Sequence, residues 1–176
     1  MKLISKNILV TGGLGAIGSN LVNRLSQHNK VIILDNLTSG ELTNINQNEN
    51  IVLYKNDIRD LEILNDIFSK FSINYVFHLA ANFANQNSVE NPLLDCDVNA
   101  KGTLQLLKTA NLSSLERFIY ASSSGVYGST NLPMTEDIIG QLETPYYIHK
   151  LLGEQYCNYF YEQYGTKIVN VRIFNS

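Results

Sequence analysis

Tyr146 and Lys150, four positions apart, are the pair in this sequence best suited to proton transfer. In a helix, residues at this spacing lie on one face, so both side chains would reach the same site. An ammonium close to a phenol stabilises the phenolate, and Lys150 is therefore expected to lower the pKa of Tyr146 from its usual value of about 10. The pair is predicted to act as a general base that takes the proton of a substrate hydroxyl.

Three consecutive serines, residues 122–124, end an apolar run upstream of this pair. A serine hydroxyl there would share the hydrogen bond to the substrate oxygen that Tyr146 deprotonates. A Tyr-x-x-x-Lys spacing also occurs by chance on helix surfaces, so this interpretation needs a second site that supports it.

A glycine-rich turn at residues 11–18 separates an apolar run from a helical one. The turn contains two phosphate-binding spacings, Gly12-x-x-Gly15-x-x-Gly18 and Gly13-x-Gly15-x-x-Gly18. Such a turn lets backbone N–H groups approach a pyrophosphate at the start of a helix, where the dipole also favours negative charge. The turn is predicted to bind a dinucleotide. The alternative is tight packing of the helix on the strand without a ligand.

Asp35 ends the second predicted strand, twenty positions after Gly15. A carboxylate there would accept hydrogen bonds from an adenosine ribose and repel a 2′-phosphate, which favours NAD over NADP. A plain turn residue at the end of a strand is the alternative role for Asp35.

The ends of the third and fourth predicted strands carry further polar and small residues. Asp57 could hold the adenine amino group while Ile58 packs on its ring; alternatively, Asp57 or Asp60 caps the helix that follows. His78 lies in an apolar strand end, where a structural histidine is expected rather than a catalytic one. The small pair at positions 80 and 81 would leave room for a cofactor against the backbone.

Apolar, β-branched runs alternate with helical segments along the chain, which is typical of a parallel sheet covered on both faces. Strands are predicted at residues 7–11, 31–34, 51–54, 75–79, 118–122 and 168–173. Helices are predicted near residues 17–27, 61–71, 93–110 and 146–164, whereas residues 38–50 are a loop or a short helix. The predicted fold is a doubly wound, Rossmann-type α/β sheet.

Composition excludes several classes of protein. The chain has 176 residues, enough for one domain of ordinary size, and its net charge of −3 does not suggest a nucleic-acid partner. Cys96 and Cys157 have no metal-ligand spacing and are predicted to be reduced thiols. No apolar run is long enough for a membrane span, and residues 1–6 are too short and polar for a signal peptide. A cytoplasmic protein is expected, with no metal and no membrane partner.

The chain resembles the extended short-chain dehydrogenase/reductase family, in its nucleotide-sugar epimerase and dehydratase branch. The matching segments stand in family order and span essentially the whole chain: residues 11–18, 35–37, 57–60, 78–81, 99–103, 122–124, 126–128, Tyr146 with Lys150, and 172–175.

The resemblance assigns roles to individual residues. It implies that NAD is bound by Gly12, Gly15, Ala16, Ile17, Gly18, Asp35, Asn36, Leu37, Thr38, Ser39, Gly40, Asp57, Ile58, Leu79, Ala80, Ala81, Asn82, Phe83, Asn99, Ser122, Tyr146, Lys150 and Phe174. It makes Ser123, Tyr146 and Lys150 catalytic, and it places Ser123, Tyr146 and Asn175 at the substrate.

Members of this branch oxidise a sugar hydroxyl at C4, passing hydride to NAD and the proton to tyrosine. Dehydratases of the branch usually carry Asp and Glu at the positions that Ser124 and Gly125 occupy here, and decarboxylating relatives often keep the Glu. The resemblance therefore favours epimerisation at C4 of a nucleotide sugar such as a UDP-hexose. The alternatives are a dehydratase, a decarboxylase or a reductase, or a non-enzymatic NAD-binding module.

Family members are roughly twice this long, because a C-terminal substrate domain follows. The resemblance therefore implies that residues 1–176 are the NAD-binding domain without that substrate domain. It also implies a homodimer, formed through the last helix and the helix around residues 99–110. The last helix is unusually aromatic, with Tyr147, Tyr156, Tyr159, Phe160, Tyr161 and Tyr164. An ordinary buried helix face with the tyrosine hydroxyls in water is the alternative.

Overall fold

Six strands form one parallel sheet in the computed structural model, which describes residues 3–83, 85–110, 115–129 and 133–174. The strands are β1 (Asn7–Thr11), β2 (Lys30–Leu34), β3 (Ile51–Tyr54), β4 (Tyr75–His78), β5 (Arg117–Ser123) and β6 (Ile168–Ile173). Their order across the sheet is β3-β2-β1-β4-β5-β6. Strand order therefore reverses between β1 and β4, which is where doubly wound sheets open a ligand crevice.

The described helices are α1 (Ala16–Leu25), α2 (Leu61–Lys70), α3 (Asn85–Glu90), α4 (Pro92–Asp95), α5 (Thr103–Thr109) and α6 (Pro145–Tyr164). A π-helical stretch, Cys96–Gly102, joins α4 to α5. Two short 3₁₀ turns lie at Leu42–Asn44 and Ser124–Tyr127. No helix in the described part of the chain is long and apolar enough to cross a membrane.

Alternating side chains of the central strands enter two separate cores, one on each face of the sheet. Leu9 and Ile32 belong to the core beneath α2, α5 and α6, whereas Ile8 and Ile33 belong to the core beneath α1. All four side chains are fully buried. The predicted parallel sheet with helices on both faces is thus confirmed.

Each predicted strand begins and ends within one residue of the observed one. The single helix predicted at 93–110 is continuous from Pro92 to Thr109, but its middle is π-helical. The helix α3 was not predicted, because its sequence Asn-Gln-Asn-Ser-Val-Glu has no apolar stripe. A long-range bond from Asn85 to the hydroxyl of Tyr147 supports α3 instead.

Candidate active site

The helix α6 begins with two signals that local sequence supplies. Thr144 is its N-cap, with the side-chain oxygen accepting from the N–H of Tyr147, and Pro145 occupies the first helical position. Tyr146 and Lys150 therefore lie in the first two turns, with the Lys150 Nζ 5.7 Å from the centroid of the Tyr146 ring. The structure confirms the predicted proximity of the two side chains.

Lys150 is buried and anchored to the end of β5. Its Nζ donates to the carbonyl oxygen of Ala121 at 2.8 Å and lies 5.2 Å from the centroid of the Tyr120 ring. Burial lowers the pKa of Lys150 to about 8, although the nearby carboxylate of Asp95 works in the opposite direction. The pKa of Lys150 is therefore below the usual value for a lysine.

Tyr146 differs from the prediction in the direction of its pKa. Burial raises that pKa to about 12, and the negative charge of Asp95 and the neighbouring Tyr147 add to the effect. The expected lowering of the Tyr146 pKa was wrong in direction, because burial penalises the charged phenolate.

The serines at the end of β5 have different partners. The Ser122 hydroxyl donates to Glu154 at 2.5 Å and is buried, whereas Ser123 begins the following 3₁₀ turn and accepts from the N–H of Gly125 at 3.1 Å. Ser123 keeps its own hydroxyl proton for donation. The cofactor contact assigned to Ser122 stays a prediction.

The glycine turn follows β1 and lies against the loop after β4, where the strand order reverses. Gly12 has a φ of +68°, and a β-carbon there would come within 2.7 Å of the backbone nitrogen of Ala80. A β-carbon on Gly18 would overlap the carbonyl oxygen of Gly12. Glycine is therefore required at both positions for α1 to start against the strand ends, and Gly15, Ala16 and Ile17 lie at that helix start, with Ile17 exposed.

Asp35 is buried beside this turn. One carboxylate oxygen accepts from the N–H of Leu14 at 2.9 Å, and the other accepts from the N–H of Leu37 at 2.8 Å. The bond from Leu37 is a local turn contact, as expected if Asp35 is a plain turn residue. The bond from Leu14 joins Asp35 to the glycine turn. Gly40 packs against the same carboxylate, and a β-carbon at position 40 would lie only 3.0 Å from both of its oxygens. The remaining segment, Asn36, Thr38 and Ser39, is exposed at the rim.

Asp57 is engaged by two side chains. Arg59 donates to both of its oxygens, at 2.7 and 2.9 Å, and Asn36 donates at 2.9 Å. The Arg59 guanidinium holds the pKa of Asp57 at about 2. Asp60 caps α2 by accepting from the N–H groups of Glu62 and Ile63, which confirms the capping role for Asp60. Adenine binding by Asp57 and by the buried Ile58 stays a prediction.

His78 is structural, as predicted. It is 1% exposed, and its ring nitrogens contact the hydroxyls of Thr11 at 2.7 Å and Thr103 at 2.8 Å. Burial lowers the pKa of His78 to about 3, so the ring is neutral.

Asn99 supports the loop that follows β4. Its side chain accepts from the N–H of Asn82 and donates to the carbonyl oxygen of Asn82, both at 3.0 Å. This clamp fixes the backbone of the loop that contains Leu79, Ala80, Ala81 and Phe83. The π-helical stretch carries Asn99, and such irregular turns occur frequently at functional sites.

The aromatic rings at the rim are open to solvent. Phe83 and Phe174 are 59% and 55% exposed, and Phe174 stacks on Tyr127 with 5.9 Å between centroids. Asn175 lies outside the described residues. In the described part of the chain, no group of three His, Cys, Asp or Glu side chains is arranged to hold a metal ion.

Two side-chain contacts of buried carboxylates beside the site were not predicted. Arg172 binds both oxygens of Glu154, at 3.0 and 2.9 Å, and Asp95 binds His149 at 2.6 Å. Glu154 follows Lys150 by four positions on the same helix face, so its inward direction was readable from spacing. The sequence separation of 54 positions between Asp95 and His149 left no comparable signal.

The sheet is doubly wound and has a glycine turn at its switch point. Ser123 lies at a strand end, and Tyr146 and Lys150 lie at the adjacent helix start. Together these features define a nicotinamide-dinucleotide domain of the short-chain dehydrogenase/reductase class. Residues 8–176 match the model of the NAD dependent epimerase/dehydratase family. The chain belongs to this family, whose cofactor is NAD.

Relatives share the fold over part of their length. A protein named putative UDP-glucose 4-epimerase from Methanocaldococcus jannaschii is 40% identical over 171 residues, which are 96% of this chain and 55% of that protein. The solved structure of an epimerase from Methanothermobacter thermautotrophicus is 50% identical with a TM-score of 0.91, covering 96% of this chain and 51% of that one. UDP-glucose 4-epimerase from Thermus thermophilus, solved in complex with NAD, is 33% identical with a TM-score of 0.86, covering 94% and 54%. The chain thus spans about half the length of these relatives.

Proposed function

We propose that residues 1–176 form the NAD-binding and catalytic domain of a nucleotide-sugar 4-epimerase acting on a UDP-hexose. The relatives named UDP-glucose 4-epimerase support the substrate class. The observation that favours epimerisation over dehydration is at Gly125, where the Tyr147 ring lies in the space that a side chain would need. The site therefore lacks the carboxylate that a dehydratase usually has there.

The residues at the carboxyl ends of β1 and β2 fit NAD in kind. Gly12 and Gly18 let the start of α1 pack closely against the strand ends, which leaves the helix N-terminus available to a pyrophosphate, and Asp35 lies beside the turn for the adenosine ribose. The Asn99 clamp presents the loop at residues 79–83 along the crevice between β1 and β4. Bound there, NAD supplies the hydride acceptor.

Tyr146 is the proposed base for the C4 hydroxyl, and Ser123 donates a hydrogen bond to the same oxygen. Positive charge near the phenol stabilises the phenolate against the burial that raises the pKa of Tyr146 to about 12. The Lys150 ammonium, fixed by Ala121, provides that charge from the next helical turn. Lys150 also has donors left for the nicotinamide ribose.

Epimerisation needs little beyond these groups. Tyr146 accepts the proton as the C4 hydroxyl becomes a ketone, and it returns the proton after the keto sugar has turned its other face to the hydride. Both half-reactions use one base, and the cofactor ends each cycle in its original state.

Elimination of water would need a separate acid and base. Ser124 has no group suited to that work, and Gly125 has no side chain. The Tyr147 ring occupies the space that any β-carbon on Gly125 would need. A side chain at position 125 would require the Tyr147 ring to move, and the glycine present there supplies no carboxylate, which supports the epimerase over the dehydratase and the decarboxylase.

We also propose that two copies associate through α6 and the helix pair around the π-helical stretch. Ile148 and Tyr159 on α6 are 49% and 50% exposed, and Leu93 and Leu94 on α4 are 82% and 42% exposed. Apolar surface of this kind is typical of a contact between chains. Sedimentation should show a dimer that Ile148→Glu dissociates, whereas Leu61→Glu on α2 should not.

The reaction is tested by incubating the purified chain with UDP-galactose, and separately with UDP-N-acetylgalactosamine, without added cofactor. NMR spectra should show the C4 epimer, and Tyr146→Phe should abolish it while NAD stays bound. A 4-keto-6-deoxy product would instead identify a dehydratase. If neither this chain nor a version extended to the length of its relatives converts either sugar with NAD bound, the epimerase proposal is wrong and the NAD-binding module remains.

A further inference from the structure

Asp95 is a fully buried carboxylate at the end of α4. It accepts from Nδ2 of Asn99 at 2.8 Å and from Nδ2 of Asn82 at 3.4 Å, and its other oxygen lies 2.6 Å from Nδ1 of His149. A buried charge is costly unless it is paired and hydrogen-bonded, so these contacts all have to be maintained together.

The partners of Asp95 come from three parts of the site. Asn82 belongs to the loop proposed to line the cofactor, Asn99 is the residue that clamps that loop, and His149 directly precedes Lys150 on α6. His149 is also three positions after Tyr146, so the Asp95 contact is made within the same helical turns that carry both catalytic side chains.

We propose that Asp95 is a positioning residue that links the catalytic helix α6 to the cofactor loop, with His149 as its contact on the helix and Asn82, which Asn99 also holds, as its contact on the loop. The inference rests on the proposed function, because it assigns Asp95 to the same reaction. In the part of the chain that the structure describes, the side-chain hydrogen bonds of Asp95 go to Asn82, Asn99 and His149, so Asp95 acts on Tyr146 and Lys150 through His149 and through its charge.

The charge of Asp95 also acts on Lys150, which has other titratable groups near it. The titratable groups near Lys150 include His78 on β4, Tyr120 on β5, Asp95 on α4 and Tyr146 on α6. Along α6 itself, His149 directly precedes Lys150 and Glu154 follows it one turn later. Among these groups, Asp95 is the one whose charge raises the pKa of Lys150 against the effect of burial. Removing the charge alone should therefore lower the pKa of Lys150 further below about 8.

The test compares Asp95→Asn with Asp97→Asn, a matched change two positions along. Asp97 is exposed and lies 3.7 Å from Lys101 in a surface ion pair. Calorimetry should show NAD binding weakened about tenfold in Asp95→Asn, the size expected for losing a hydrogen bond to a charged group, and unchanged in Asp97→Asn. NMR titration of isotope-labelled lysine should show a lower pKa for Lys150 in Asp95→Asn.

The direction of that titration separates positioning from a merely structural role. If Asp95 only holds the fold together, its loss lets water reach Lys150 and the lysine pKa rises toward 10.5. NAD affinity within twofold of the parent chain, or a Lys150 pKa that rises or stays, overturns the proposal. Neither readout requires sugar turnover, so failure here is distinguishable from failure of the epimerase proposal.

Substitutions at His149 keep the test decisive if Asp95→Asn fails to fold. His149→Gln retains an N–H that can donate to Asp95, whereas His149→Leu removes it. We expect His149→Leu to weaken NAD binding about tenfold and His149→Gln to restore most of the affinity. Equal affinities in the two variants would contradict the proposed contact.

Discussion

The aromatic ring of Tyr147 lies directly against Gly125, in the volume that a β-carbon at position 125 would occupy. The Tyr147 hydroxyl is held from the other side by Nδ2 of Asn85 at 2.7 Å, so the ring is fixed between α3 and the turn after β5. This contact joins the segment that carries Ser123 to the helix that carries Tyr146.

Gly125→Ala should therefore destabilise the chain. Overpacking of this kind costs about 1–3 kcal/mol of unfolding free energy, measured by urea denaturation. Gly15→Ala is the control, because a β-carbon there makes an ordinary contact at 3.5 Å. In the Tyr147→Ala background the cost should largely vanish, and additive effects of the two changes would contradict the packing argument.

The ion pair of Arg172 with Glu154 should be worth far more than a surface pair. Its side chains are 13% and 6% exposed, and Arg172 also binds the carbonyl oxygens of Glu136 and Ile138. Arg172→Met leaves Glu154 buried without its partner and should lower the unfolding free energy by about 3–5 kcal/mol. Lys70→Met, which breaks the exposed pair with Asp66, should cost less than about 1 kcal/mol. Similar losses of unfolding free energy in both variants would show that the buried pair stabilises the chain no more than the exposed pair does.

Stability should fall as the pH drops below the usual titration range of histidine. The pKa of His78 is about 3 in the folded chain, whereas the ordinary pKa of a histidine, which the unfolded chain has, is 6.5. Its contribution is therefore fully present above pH 6.5 and is lost progressively down to pH 3, at up to about 1.4 kcal/mol per pH unit.

The variant His78→Gln should remove that part of the slope of unfolding free energy against pH. His28→Gln, at an exposed position, should leave the slope unchanged. An identical slope in the parent chain and in His78→Gln would rule out burial of a neutral His78 as the cause.

Asp35 should determine the choice between the two nicotinamide cofactors. Asp35→Asn keeps the shape but removes the charge that repels a 2′-phosphate, so the preference for NAD over NADP should narrow by about tenfold. Calorimetry with both cofactors measures the ratio, and Asp66→Asn on the outer face of α2 is the charge-matched control. A parent chain that binds NADP as tightly as NAD would show that Asp35 does not discriminate.

Much of the fold was predictable because the sequence signals for its strands, turns and helix starts are local. The strands β1, β3 and β6 have the predicted bounds, since each is a short apolar, β-branched run between turn residues. The glycine turn, the cap at Thr144 and the inward pairing of Tyr146 with Lys150 depend on spacings of four residues or fewer. Short-range geometry of this kind is contained in the order of the residues.

Only the tertiary structure decided which distant groups share the site. Asp95 meets His149 across 54 positions, and Tyr147 fills the space over Gly125 through packing of α6 on the end of β5. The upward shift of the Tyr146 pKa depends on burial first and on the charge of Asp95 second. The sequence alone determined which residues can do chemistry; desolvation and long-range charge, which arise only when the chain is packed, determined how those residues are held and how they titrate.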